Sequence, residues 1–249
     1  MPPDASGWVI VGATSPIARA FAALIARECS SVLLAGRRPE MLARDAADLS
    51  IRYQVQSAPL AFDITNLSGH AAFAEACRRR IAGTMNVFVA AGAMPPQEAI
   101  EKDYRLLEAS LAANLVGVAA LLLAFAPHLE HQRSGSLVVL GSVAGDRGRP
   151  KNYVYGAGKA GLHVFLQGLR ARLFRHGAHV LTVKPGFVDT SMTFGMPGLF
   201  LVASPEDCAE ACLAAVHRRT EIIYTPHFWW PLMLAIKAVP ERIFKRLNF

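Results

Sequence analysis

Apolar residues in this chain of 249 residues fall into short continuous runs separated by longer stretches of mixed character. Trp8-Val9-Ile10-Val11, Ser31-Val32-Leu33-Leu34-Ala35, Asn86-Val87-Phe88-Val89, Leu137-Val138-Val139-Leu140 and Val180-Leu181-Thr182-Val183-Lys184 are too short for helices and do not alternate with polar residues. Runs of that kind belong to strands covered on both faces, as in parallel sheets. Another strand ends in Phe62-Asp63-Ile64-Thr65, and Glu221-Ile222-Ile223-Tyr224 reads as the last. Helical stretches lie between them, one reaching about Glu28 and a long one running roughly from Ile100 to His128. Strand and helix in alternation predict an α/β fold, a doubly wound parallel sheet of Rossmann type. The expected division is one domain over residues 1–225 and an amphipathic C-terminal extension over 226–249.

Composition adds limits. Hydrophobic residues make up 53% of the chain, and the mean hydropathy is +0.29. No apolar run reaches the roughly 18 uninterrupted residues of a membrane span. The start, Met1-Pro2-Pro3-Asp4-Ala5-Ser6-Gly7, lacks a basic region followed by an apolar core, so a cytoplasmic protein is expected. The net charge is +7. Its basic residues are scattered, as in Arg37-Arg38, Arg78-Arg79-Arg80 and Arg218-Arg219, without the continuous patch and stacking aromatics of a nucleic-acid binder. The balance suits a phosphate-bearing ligand or an anionic membrane surface. Cys29, Cys77, Cys208 and Cys212 sit in Ala-rich helical patterns with no second ligand pair beside them. Reduced thiols are expected, and no metal site.

Chemistry concentrates between Ser142 and Lys159. Tyr155 and Lys159 are spaced i, i+4, which puts both side chains on one helix face. An ammonium beside a phenol stabilises the phenolate, so a lowered Tyr155 pKa is expected, within reach of proton exchange with a carbonyl or alcohol. Ser142 lies thirteen residues upstream, just past a strand's carboxyl end, where open α/β sheets bind ligands. Near the N-terminus, the first strand runs into Gly12-Ala13-Thr14-Ser15-Pro16-Ile17-Ala18 and a helix. A glycine turn entering a helix forms an anion site, with Ser15 as a candidate cap and Pro16 in the first position.

A Ser followed thirteen residues later by Tyr-x-x-x-Lys resembles the short-chain dehydrogenase/reductase family. The resemblance spans nearly the whole chain. It implies hydride transfer between a nicotinamide cofactor and a carbonyl or alcohol, with Tyr155 as acid/base, Ser142 holding the substrate oxygen and Lys159 tuning Tyr155 and binding the nicotinamide ribose. Asn114, a polar amide within an apolar helix, needs partners. The resemblance makes it the fourth catalytic residue, positioning a water that relays protons to Lys159. The implied cofactor site comprises Gly12, Thr14, Ser15, Ile17, Arg37, Arg38, Asp63, Ile64, Ala91, Gly92, Tyr155, Lys159, Pro185, Gly186, Val188 and Thr190. Of the family's three glycines near the first strand only Gly12 is kept, and Ala90 replaces an Asn before Ala91-Gly92. Arg37 and Arg38 stand where an NAD-specific fold carries an acid, which favours NADP(H) over NAD(H), although arginines opening a helix also fit. Asp63 reads as an adenine acceptor or as a helix cap. Pro185-Gly186-Phe187-Val188-Asp189-Thr190 resembles the family segment beside the nicotinamide.

Two further stretches are individual to this chain. Ser191 to Ala203, with Phe194, Met196, Leu199 and Phe200, reads as an apolar lid over the substrate or as a loop packed on the core. The extension has paired Trp229-Trp230, an apolar run and then Lys237, Arg242, Lys245 and Arg246. It suits a segment lying on the inner face of the membrane, or equally a helix buried in a homo-oligomer. Val143 to Arg147, Asn152 to Gly156 and Val239 to Leu247 resemble those family members that reduce a keto-sugar carried on a polyprenyl phosphate. Three functions stay open: reduction of a keto-sugar or lipid-linked ketone, reduction of small soluble ketones or acyl thioesters, and a non-catalytic cofactor-binding scaffold.

Overall fold

A computed structural model describes residues 6–195 and 200–247. Its frame is a seven-stranded sheet: β1 (Ser6–Val11), β2 (Ser31–Gly36), β3 (Gln56–Ala61), β4 (Thr84–Val89), β5 (Ser136–Leu140), β6 (His179–Pro185) and β7 (Ile222–Thr225). The spatial order is β3-β2-β1-β4-β5-β6-β7, and every pairing is parallel. Parallel neighbours require crossovers, supplied by α1 (Pro16–Ile25), α2 (Pro39–Tyr53), α3 (His70–Arg80), α7 (Tyr153–Phe174) and α8 (Pro205–His217), and by three helices between β4 and β5. Chain direction across the sheet reverses between β1 and β4, leaving the crevice at their carboxyl ends where such sheets hold ligands.

The period-2 alternation of the strands splits the core into two layers. Ile10, Leu34, Phe88, Val138 and Leu181 face one side and pack with Phe21 of α1, Leu42 of α2 and Cys208 and Cys212 of α8. Val9, Leu33, Val87, Leu137 and Val180 face the other, against Phe73 of α3 and Leu121, Leu162 and Leu166 of later helices. Burial on both faces is what the unbroken apolar runs required.

Two sequence readings need correction. The first helix ends at Ile25, short of Glu28, and Ser15 occupies its cap position without a side-chain cap bond. The long helix is three: α4 (Gln97–Lys102), α5 (Tyr104–Leu111) and α6 (Gly117–Gln132), with a π turn, Ala112–Val116, joining the last two. Asp103 breaks the first junction with an extended backbone, and its carboxylate accepts the Arg105 N–H at 3.0 Å, a cap that starts α5. Residues Tyr104–Gln132 are together long and apolar enough to cross a bilayer. Leu121, Leu122, Phe125 and Leu129 of α6 are nevertheless buried against the sheet.

After β7 the chain forms α9 (Trp229–Ala238) and α10 (Glu241–Phe244). Trp229, Met233 and Phe244 are buried, whereas Trp230, Leu234 and Ile243 are exposed.

Candidate active site

Ser142 follows β5, and its hydroxyl accepts the Ala144 N–H at 3.1 Å, capping a short 3-10 turn, Val143–Gly145. Tyr155 and Lys159 lie in the first two turns of α7. The Val154 N–H at that helix start has no intrahelical acceptor and is taken by Gln97 of α4 at 3.1 Å. Lys159 Nζ donates to the Leu140 carbonyl at 2.9 Å and stands 5.7 Å from the centre of the Tyr155 ring. Tyr155 and Lys159 are 7% and 3% exposed.

That burial reverses one expectation. Desolvation pushes the Tyr155 pKa up to about 12, with the Ser142 hydroxyl pulling it partly back. It pushes Lys159 down to about 8. Excluding water penalises both charged forms more than attraction across that gap favours them. Burial therefore favours the protonated phenol of Tyr155, the form that can give a proton to an oxygen.

Asn114 is fully buried within the π turn. Such turns widen a helix locally and recur at functional sites. Its amide donates to the Ala93 carbonyl at 2.6 Å and the Ser110 carbonyl at 2.8 Å, and its Oδ1 accepts the Ala93 N–H at 3.3 Å. These bonds tie α5 to the strand-end segment Ala91-Gly92-Ala93. A Cβ on Gly92 would lie 2.7 Å from Asn114 Oδ1, a clash, and 3.5 Å from Lys159 Nζ, so the segment passes close to both side chains. The structure thus brings Asn114, Ser142, Tyr155 and Lys159 together at the carboxyl ends of β4 and β5.

The residues of the implied cofactor site follow the carboxyl ends of β1, β2, β3, β4 and β6 or lie at the starts of α1 and α7. Gly12 has φ +75°, and a Cβ would lie 2.7 Å from the Ala90 carbonyl. Its N–H and that of Ala13 bond to Ala35 O, at 2.9 and 3.1 Å, which shapes the turn and withdraws both from a phosphate. Thr14, Ser15 and Ile17 form the entry to α1. Pro16 brings no N–H, but the amides of Ile17 and Ala18 bond to no acceptor among the described residues. A helix start with free amides fits a dinucleotide pyrophosphate. Arg37 and Arg38 are exposed at the end of β2, and neither is ion-paired with a carboxylate among the described residues. Asp63 accepts from the Thr65 N–H and hydroxyl, at 2.9 and 2.8 Å, with Arg37 nearby; these hold its carboxyl below the usual range. It does not cap α3. Ile64 lies beside it, its carbonyl 3.1 Å from the His70 ring.

Pro185 ends β6, and the Gly186 N–H bonds to Thr225 O at 3.0 Å. Val188 is buried and bridges to Ala203. The Thr190 hydroxyl lies 3.4 Å from that of Thr193 within its own turn. Of the lid residues, Phe194 is 86% exposed, while Phe200 packs on Phe187 and Trp229 at 5.6 Å each. Met196 and Leu199 lie outside the described residues.

Trp229 was expected at a boundary beside Trp230, yet it is 1% exposed. Its ring lies against Gly186, where a Cβ would come within 1.8 Å of Nε1, and it packs with Phe187 and Phe228. The extension is also held by Arg147, which donates to Glu241 at 2.7 Å and to the Lys237 carbonyl at 3.3 Å and covers the Phe244 ring at 4.2 Å. Arg147 thus clamps the turn after Ser142 to the tail. A groove of about 880 Å³ runs along β7, α8 and the start of α9, away from Tyr155.

A parallel sheet with a phosphate-fitting helix start and a Ser, Tyr and Lys at its strand ends defines a dinucleotide-dependent oxidoreductase. The family model for short chain dehydrogenases matches residues 8–196, and the chain belongs to the short-chain dehydrogenase/reductase family. It is an NAD(P)-dependent enzyme of that family. An uncharacterised oxidoreductase of Mycobacterium tuberculosis is 31% identical over 239 residues, 96% of each chain. One of Streptomyces coelicolor is 32% identical over 262 residues, 99% of each. Among solved structures, a short chain dehydrogenase of Burkholderia cenocepacia in complex with NADP has a TM-score of 0.83 at 22% identity, over 99% of this chain and 98% of that one. A Sphingobium yanoikuyae short-chain dehydrogenase in complex with NADPH has a TM-score of 0.82 at 24% identity, over 95% and 96%. Both share the fold.

Proposed function

We propose that the enzyme reduces a ketone to a secondary alcohol with NADPH. The observation that carries this is the geometry of a buried Tyr155 beside Ser142, with the Lys159 ammonium 5.7 Å from its ring. When bound, the nicotinamide supplies the hydride. Ser142 holds the carbonyl oxygen, and Tyr155 gives it a proton. Lys159 binds the nicotinamide ribose and keeps Tyr155 aligned, while Asn114 holds the strand-end segment and a water for proton return. Thr14, Ser15 and Ile17 surround the pyrophosphate, Asp63 and Ile64 the adenine, and Ala91, Gly92, Pro185, Gly186, Val188 and Thr190 the nicotinamide end. Arg37 and Arg38 support NADP(H), since both are exposed and neither guanidinium makes a salt bridge among the described residues, which leaves them accessible to a 2′-phosphate. NADP and NADPH in two solved relatives agree with this.

The substrate we favour is a keto-sugar on a polyprenyl phosphate. The chain's C-terminal half resembles the decaprenylphosphoryl-2-keto-pentofuranose reductase, the reductase half of the decaprenylphosphoryl-ribose 2′-epimerase. In the loop between Ser142 and Tyr155, Arg149 has a buried Nε without a hydrogen-bond partner, and burial lowers its pKa. An uncompensated cation there suits an anionic substrate group. Trp230, Leu234 and Ile243 are exposed beside Lys237, Arg242 and Lys245, which suits docking at the inner membrane face. Residues 226–249 then act as a packed extension of the domain over 1–225. Val116 of the π turn, Leu123 of α6 and Val164 and Phe174 of α7 are exposed apolar residues that suit a sister chain in a homo-oligomer. The test is NADPH oxidation against a polyprenylphosphoryl 2-keto-pentose in anionic vesicles and against soluble ketones and acyl thioesters. Turnover of the lipid-linked ketone supports the reading. Turnover of soluble compounds alone replaces the substrate, and no turnover of any ketone overturns the reaction.

A further inference from the structure

Behind Ser142 lies a buried cluster of ionisable side chains that takes no part in the proton transfer. His163 is on α7, one turn beyond Lys159 on the same face. Its Nε2 is 3.4 Å from the Ser142 backbone N–H. Its Nδ1 is 3.6 Å from Asp146 Oδ1, and both side chains are nearly inaccessible, at 6% and 4%. The same carboxylate receives Lys184 of β6 at 2.6 Å and the Tyr224 hydroxyl of β7 at 2.5 Å. Four segments meet there: the turn after Ser142, helix α7, the residue before Pro185-Gly186 and strand β7 two residues before the tail.

The imidazole also sets the shape of the turn. A Cβ on Gly141 would lie 2.3 Å from His163 Nε2, and one on Gly145 would lie 2.7 Å from its Cε1. The backbone on both sides of Ser142 is therefore packed directly onto the ring. A backbone N–H must donate, so Nε2 must accept, and the ring proton belongs on Nδ1, facing Asp146. We propose that His163 and Asp146 are positioning residues for Ser142: a neutral imidazole, its tautomer fixed by Asp146, holds the Ser142 N–H and so aims the hydroxyl at the substrate oxygen. This rests on the reading of Ser142 as the residue that holds that oxygen.

The charges around the ring agree. Asp146 faces it from the catalytic turn, Lys159 from its own helix, Lys184 from β6, and Tyr224 from β7 through the carboxylate. Burial lowers the His163 pKa, opposed by Asp146, with Lys184 and Lys159 adding to the lowering. For Asp146, burial is outweighed by the nearby His163 ring and by bonds from Lys184 and Tyr224, which hold the carboxyl well below its usual range. At neutral pH the pair is a neutral ring and a carboxylate. Protonating the ring would set an N–H against the Ser142 N–H and release the turn.

The test is nitrogen NMR of the full-length protein, labelled in histidine and serine. The account predicts that at pH 7.5 His163 is the Nδ1–H tautomer, and that its protonation on acidification shifts the Ser142 amide. In His163→Leu the Ser142 amide should exchange with solvent more than about tenfold faster. In His163→Gln, whose carbonyl can accept in place of Nε2, exchange should stay within about threefold of wild type. An Nε2–H tautomer, a charged ring at pH 7.5, or unchanged Ser142 exchange in His163→Leu would overturn it. The tautomer is read on the wild-type chain, so it decides the matter even if His163→Leu does not fold. It also needs no substrate, and so fails separately from the proposed reaction. With a ketone that is turned over, kcat should fall more than about tenfold in His163→Leu and recover in His163→Gln, with KM little changed.

Discussion

Lys159 is a buried cation that makes no salt bridge among the described residues and donates to the Leu140 carbonyl. Burial lowers its pKa from the ordinary 10.5 to about 8. An unfolded chain therefore binds the proton more tightly between those values, so folding stability rises with pH across that window, and below it the charge is a cost of about 3 kcal/mol. Lys159→Met should be more stable than wild type at pH 7, and the gap should close as the pH approaches 10. Urea unfolding of both proteins across that range measures it; a gap that stays constant or widens would show that Lys159 is not destabilised by burial. At the far end of the crevice, Arg37 is exposed and unpaired. Arg37→Asp should weaken NADPH binding by about 1.5–3 kcal/mol while sparing NADH. Equal dissociation constants for the two cofactors in the wild-type protein would remove the preference.

Among the elements, the tail carries the sharpest contrast. Trp229 and Trp230 are adjacent, yet one is sealed against Gly186 and the other faces solvent. Trp229→Ala should cost about 3–5 kcal/mol of stability, as truncation of a buried aromatic does. Trp230→Ala should change stability by no more than about 0.5 kcal/mol and should reduce capture by anionic vesicles. Thermal melts and vesicle sedimentation of the two single variants separate the roles. If Trp230→Ala sediments like wild type but loses oligomeric mass, the exposed face is an assembly surface. The paired tryptophans could not be told apart in sequence, because period and composition do not say which side of α9 meets Gly186. The strands were legible for the opposite reason: burial on both faces leaves continuous apolar runs. The π turn at Ala112–Val116 was not, since its sequence continues the apolar pattern of α5 and α6 and only the bonds of Asn114 to Ala93 and Ser110 mark it.

For the whole molecule, the grouping of Ser142, Tyr155 and Lys159 was readable because Tyr155 and Lys159 share a helix face and Ser142 follows a buried strand. Their electrostatics were not, because spacing shows the ammonium but not the water excluded around it. Nor was the cluster of His163, Asp146, Lys184 and Tyr224, which comes from four segments distant in sequence. The i, i+4 step from Lys159 to His163 was its one visible trace. The central claim is that Tyr155 is the proton donor of an NADPH-dependent reduction, and single-turnover reduction by Tyr155→Phe tests it most directly. The account predicts hydride transfer slowed by about 10²–10⁴-fold, the range for a lost general acid, with the NADPH dissociation constant nearly unchanged. A variant that kept most of the wild-type rate would contradict it.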